Sequence, residues 1–191
     1  GEKMFEYCLF KTLSIILGLC FGSFITMLTY RLPRNESIVY GSSHCVNCNK
    51  KIKIISLIPL FSWIFQKGKC TFCGQKISIR YPLIELATAI AFFLIFLRFG
   101  ISYNTIIFSF IFVVIFSIII IDLQHYIIND SLQICLLLLA ISYIFINKLD
   151  FLYQVFSAII YFAATYITVF LTEKILKKEA LGGGDLKLIT V

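Results

Sequence analysis

Two aspartates stand at the ends of apolar runs. Asp122 closes Ile118-Ile119-Ile120-Ile121-Asp122, and Asp185 follows three glycines in Leu181-Gly182-Gly183-Gly184-Asp185. A carboxylate inside a membrane span costs roughly 2.5–3.5 kcal/mol on insertion scales, and less near the interface. Two carboxylates held close together share one proton, because both cannot ionise cheaply. The ionised member can then draw a proton from water while the protonated member hydrogen-bonds a peptide carbonyl. That is peptide hydrolysis without a covalent intermediate and without a metal. Gly182, Gly183 and Gly184 strip the backbone of side chains and let another chain lie close against it, so they read as a flexible substrate-binding loop. Taken singly, Asp122 is equally an interfacial or helix-pairing residue, and a glycine run is equally a linker. The sequence contains neither G-x-S-x-G nor H-E-x-x-H, and its two histidines are His44 and His125. His125 reads as an interfacial residue. Asp130 is a rival partner, but Asn129-Asp130-Ser131 reads as the N-cap of the helix that follows.

A second constellation is made of cysteines. Cys45-Val46-Asn47-Cys48 and Cys70-Thr71-Phe72-Cys73 are paired C-x2-C knuckles with 21 residues between them. Each knuckle turns two sulfurs toward one ion, and four thiolates satisfy tetrahedral zinc. Two disulfides or free thiols are the alternative, which a reducing compartment disfavours. With all four positions taken by cysteine, no place remains for a reactive water, so the zinc is expected to be structural and to fold a domain too small to fold unaided. His44 is a possible replacement ligand, though a solvated loop histidine is the simpler reading. Cys8, Cys20 and Cys135 lie in or beside apolar segments and read as small packing residues.

The elements that must position these groups follow from composition. Of the 191 residues, 60% are hydrophobic and 14% charged, against roughly a quarter charged in soluble domains. The fold class expected is an all-α polytopic membrane protein with at least five transmembrane helices and the start of a sixth. The spans are placed at Leu9–Thr29, Leu83–Leu97, Thr105–Leu123, Leu132–Ile146 and Phe151–Leu171, with Leu188-Ile189-Thr190-Val191 opening the sixth. The first span has no small-residue cleavage site and reads as retained. Gly18 and Gly22-Ser23 within it point to close helix packing. Three domains are expected: 1–30, a first span; 31–80, a small cytoplasmic zinc-binding domain; and 81–191, a membrane domain cut short at its C-terminus. The middle domain holds nine Lys or Arg against one acid, Glu36. By the positive-inside rule it is cytoplasmic, which puts Asp122 and Asp185 together at the cytoplasmic membrane edge and Asp150 outside. This shared depth is the main reason to pair the two aspartates as catalytic. Within 31–80, the segment Ile54–Trp63 is too short to span, and is expected to lie at the membrane interface or over the metal site. The cations are assigned to anionic lipid or to a carboxylated or phosphorylated ligand, and no nucleic acid is expected as a partner.

Four patches taken together resemble the type IV prepilin peptidases, leader peptidases of the GxGD aspartyl class. They are Gly22-Ser23-Phe24 through Tyr30-Arg31-Leu32-Pro33, the paired knuckles, Arg80-Tyr81-Pro82-Leu83-Ile84-Glu85-Leu86, and Gly182-Gly183-Gly184-Asp185. Ile58-Pro59-Leu60-Phe61-Ser62-Trp63 is similar to the family's segment between the knuckles. The resemblance implies a polytopic enzyme of the bacterial inner membrane that cuts the basic leader from prepilin or pseudopilin substrates, with Asp122 and Asp185 catalytic. It also implies N-methylation of the new N-terminus from S-adenosylmethionine, a role associated with the cysteine domain. Glu85, in the cytoplasmic half of the second span, is a weaker candidate for substrate or methyl-transfer contacts, and packing is the simpler reading. Members commonly carry Ile-Pro-Asp or Leu-Pro-Asp where this chain has Ile128-Asn129-Asp130, and continue through further apolar helix beyond Val191. A non-enzymatic zinc-containing membrane adaptor would account for the cysteines and leave the matched depth of Asp122 and Asp185 a coincidence. A proton-relaying transporter would need acids at mid-membrane.

Overall fold

The computed structural model describes residues 2–52 and 54–176, and in them six α-helices in chain order: α1 (Glu2–Arg31), α2 (Phe61–Phe65), α3 (Arg80–Phe99), α4 (Tyr103–His125), α5 (Asp130–Ile146) and α6 (Phe151–Leu176). Among the described residues the only extended pairings are two isolated bridges, His44 with Lys51 and Lys69 with Lys76. The fold is all-helical, as composition requires. Among the described residues, four helices are long and apolar enough to cross a membrane: α1, α3, α4 and the Phe151–Thr168 part of α6. Helix α5, with 17 residues, spans about 25 Å, the lower bound for crossing. The expected sixth span lies outside the described residues.

Local chemistry sets the helix ends. Pro33 follows α1 in a short 3-10 turn that Asn35 closes at φ 55°. Gly100, at φ 61°, ends α3 by donating its N–H to the Phe96 carbonyl. Asn129 begins α5, its side chain accepting from the Ser131 N–H at 3.0 Å. Asn129 is therefore the cap, and Asp130 is the first helical residue. Asp150 does the same for α6, accepting from the N–H groups of Leu152 and Tyr153.

The chain divides into two compact units, Gly1–Ser117 and Ile118–Val191. In the first, α1 lies along α3 at backbone contact. A Cβ on Gly22 would stand 2.5 Å from the Glu85 Cα, and one on Gly18 2.5 Å from the Ala89 Cα. The G-x-x-x-G spacing on α1 thus meets two α3 positions four residues apart, the close approach that small residues permit within a bilayer. Around this seam Ile25, Thr88, Ala89 and Phe92 are buried. Phe21 joins Phe92 at 5.4 Å and, edge-on, Phe110 of α4 at 5.5 Å. In the second unit, Ile118, Ile120 and Ile121 are buried on the last turns of α4. Cys8, Cys20 and Cys135 are exposed. They point outward from their helices and are not packing residues, because on an all-apolar helix the outward face is as hydrophobic as the inward one.

Candidate functional site

The cysteine domain begins where α1 ends. Arg31 is buried; its Nη1 donates to the carbonyls of Ser37 (2.9 Å) and Tyr40 (3.2 Å), and its Nη2 to that of Gly41 (3.3 Å). This cation clasps the loop back onto α1. The two knuckles then repeat one backbone design. Cys45 donates to the Lys50 carbonyl and Asn49 to that of Cys45; Cys70 donates to Gln75 and Gly74 to Cys70. Each turn needs a left-handed residue after its second cysteine: Asn49 at φ 53° and Gly74 at φ 70° fill that place.

These two turns face each other. The sulfurs of Cys45, Cys48, Cys70 and Cys73 all lie within 4.8 Å of one another, and Cys45 and Cys73 are 3.9 Å apart. Four thiolates bound 2.3 Å from one zinc would be spaced by about 3.8 Å, so the donor set fits that ion. Backbone N–H groups of Cys48 and Asn47 hold the Cys45 thiol down to about 6. The Gln75 N–H and the Asn47 side chain lower Cys73. Cys48 is drawn down by the Lys50 N–H, but desolvation and the neighbouring cysteines raise it to about 11. Two thiols drawn down beside one pushed up is what crowding of like charge produces. His44 is exposed, with Nδ1 3.3 Å from the Ser42 carbonyl, and is not one of the four clustered donors.

Between the knuckles, Ile54–Leu57 forms a 3-10 turn and Phe61–Phe65 the short α2. Trp63 fastens α2 to the second knuckle, its Nε1–H donating to the Ile77 carbonyl at 3.2 Å. Gly68 lies against the indole, where a Cβ would come within 2.8 Å of the ring. Ahead of α2, Leu60 sits at φ 62° and ψ −55°, with Phe61 donating to the Pro59 carbonyl. This is the rare positive-φ γ-turn, which costs conformational energy in a residue other than glycine. Glu85 holds it: buried on α3, its Oε2 accepts from the Leu60 N–H at 2.6 Å. An acid in a span signals a role, but its partner 25 residues earlier carries no sequence mark.

A cavity of about 390 Å³ opens where these pieces meet, lined among others by Ser23 and Tyr30 of α1, Trp63, Phe72, and Tyr81 and Glu85 of α3. Its size suits a small-molecule site. A carboxyl group among aromatic rings is chemistry that receives a positively charged group.

Asp122 stands in the last turn of α4, half-buried and next to the fully buried Ile121. Its carbonyl accepts from the Tyr126 N–H at 2.8 Å, and Tyr126 at φ 54° turns the chain out of the helix. The carboxylate is thus at the helix end. His125 is the final residue of α4. Asp185 and the glycines Gly182, Gly183 and Gly184 lie outside the described residues.

Comparison with known proteins matches residues 16–99 to the bacterial peptidase A24 N-terminal domain and residues 107–191 to the type IV leader peptidase family. The chain is 35% identical to a prepilin leader peptidase/N-methyltransferase of Bacillus subtilis (strain 168), over 92% of this chain and 69% of that one. It is 33% identical to a protein of the same name from Myxococcus xanthus (strain DK1622), over 96% of this chain and 55% of the other. It is 31% identical to the type 4 prepilin-like proteins leader peptide-processing enzyme of Escherichia coli O78:H11, over 92% and 73% respectively. The chain therefore spans between about half and three quarters of the length of these relatives. No solved structure matches.

Proposed function

The chain belongs to the type IV leader peptidase family, and from that premise we propose that it is an aspartyl endopeptidase cutting the leader from prepilin-like proteins at the cytoplasmic edge of the inner membrane. Asp122 and Asp185 are the pair. The ionised carboxylate takes a proton from water as the water oxygen attacks the scissile carbonyl carbon. The protonated carboxyl hydrogen-bonds and then protonates the carbonyl oxygen. Collapse of the diol breaks the C–N bond, and the amine leaves with a proton returned from the dyad. A basic leader held in the cytoplasm, followed by an apolar segment in the bilayer, brings its scissile bond to this depth. The observation that supports the reading is that Asp122 stands on the terminal turn of a helix long and apolar enough to cross a membrane, and not at its middle. The test is cleavage of a prepilin-like substrate by the full-length protein. Asp122→Asn and Asp185→Asn should each abolish it, and a normal rate in either would discard the pairing.

In this reading 31–80 is a cytoplasmic domain that Cys45, Cys48, Cys70 and Cys73 fold around one structural zinc. With four cysteines as ligands the ion has no open position for a substrate, so hydrolysis does not run through it. The relatives' names carry a second activity, N-methylation. Its donor, S-adenosylmethionine, supplies a methyl group carried on a positively charged sulfur. The residues that would hold it are those around the 390 Å³ cavity, with Glu85 and the rings of Tyr30, Trp63 and Tyr81 facing the positive charge. Glu85→Gln should weaken donor binding by calorimetry while leaving leader cleavage intact. Unchanged donor affinity would place the donor elsewhere.

A further inference from the structure

Helix α2 carries its polarity the wrong way round for a protein in water. Ser62, Trp63 and Gln66 line the cavity, whereas Phe61, Ile64 and Phe65 point outward at 52%, 54% and 82% exposure. Positions three and four apart share one helix face, so these three side chains form a single apolar surface. The preceding turn adds Ile55 and Ile58, exposed at 74% and 47%. This orientation is imposed. The Trp63 hydrogen bond to Ile77 and the indole against Gly68 stop α2 from rolling. The Leu60 bond to Glu85 ties its start to α3.

The surroundings say what covers the face. Lys50, Lys51, Lys67, Lys69 and Lys76 are all exposed on the same small domain, two of them directly after α2. The domain is entered from α1 and left into α3, both long and apolar enough to cross a membrane, so the bilayer surface is at hand on both sides. An apolar face followed directly by two exposed lysines, on a domain with further exposed lysines, suits a membrane carrying anionic headgroups. We propose that α2 and the turn before it form an interfacial anchor. Phe61, Ile64 and Phe65 enter the boundary between headgroups and acyl chains, the lysines lie over anionic lipid, and the cysteine domain is thereby held flat against the membrane.

Tryptophan fluorescence of the full chain in lipid bilayers tests this, since Trp63 is the single native tryptophan. Phe65→Trp adds an indole on the proposed face, and Val39→Trp, on a loop position exposed at 83%, serves as the control. In bilayers of brominated and anionic phosphatidylglycerol lipids, the indole at 65 should be quenched about twofold or more by bromine and little by acrylamide, with the opposite pattern at 39. Replacing the anionic lipid with a zwitterionic one, or combining Lys67→Gln with Lys69→Gln, should reduce the bromine quenching at 65. Acrylamide access at 65 equal to that at 39 would overturn the proposal. So would shielding from both quenchers, which would mean that a second chain or another protein covers the face. Phe61→Ser with Phe65→Ser should keep stoichiometric zinc; loss of zinc there would make these rings part of the domain's own core and overturn the proposal as well.

Discussion

A third of the apolar stretch of α3 is buried, whereas none of the Phe151–Thr168 stretch of α6 is. Both are long and apolar enough to cross a membrane, so hydropathy alone does not make the difference. Against α3 lie Gly18 and Gly22 of α1, which let the two backbones touch, and Phe21, which reaches Phe92. The first unit goes on in this manner: Arg31 on three carbonyls, Trp63 on Ile77, Glu85 on Leu60. In lipid, apolar surface gives no preference for one neighbour over another. What fixes a partner is a small residue or a directional bond, and the first unit has both.

The sharpest way to break this comparison is to separate chemistry from architecture. Asp122→Asn or Asp185→Asn should remove leader cleavage almost entirely while zinc content stays stoichiometric, and the double variant should be little worse than either single, since a carboxylate pair acts as a unit. Cys45→Ser or Cys70→Ser should do the reverse to the cysteine domain. Zinc by metal analysis should fall well below one per chain and the domain should become protease-sensitive, because metal binding and folding of so small a unit are the same event. A variant without zinc that keeps a protease-resistant domain would show that the knuckles stand by themselves.

Smaller effects test the seam. Gly22→Leu places side-chain atoms where a Cβ alone would meet the Glu85 Cα at 2.5 Å. The expected loss is about 1–3 kcal/mol, read as a lower unfolding temperature in detergent; a Leu of comparable size introduced on the outward face of α6, at Ala163, should cost little. Glu85→Ala removes the acceptor of the Leu60 N–H and should cost about 1–3 kcal/mol, with Glu85→Gln largely restoring it. Least of all, Asn129→Ala should cost about 1 kcal/mol as a lost cap, and Asp130→Asn should leave cleavage near its starting rate. A large loss from Asp130→Asn would promote it over Asp122 as the partner of Asp185.

Much of this architecture was legible because it rests on short-range chemistry. Apolar runs bounded by Pro33, Gly100 and Asn129 delimit the helices, whose observed ends exceed the expected spans by a few residues. The excess is polar or aromatic sequence that continues a helix past the hydrocarbon without adding to an apolar run. C-x2-C spacing specifies a turn with two sulfurs on one side, and the two turns do meet. The spacing of Gly18 and Gly22 marked a contact face, although only the fold supplied Glu85 and Ala89 as its other side. Tertiary structure alone decided the rest. That Arg31 is consumed by its own loop, that Asn129 and not Asp130 caps α5, and that Cys8, Cys20 and Cys135 face outward depend on where the chain folds back or how a helix is turned. The same holds for Ile54–Trp63. Its hydrophobicity set two expectations, at the interface or over the metal. Which side chains of α2 turn inward was settled by one indole N–H finding the Ile77 carbonyl and one glycine making room for its ring. Composition is a property of residues one at a time, and a hydrogen bond between positions 63 and 77 exists only once the chain has brought them together.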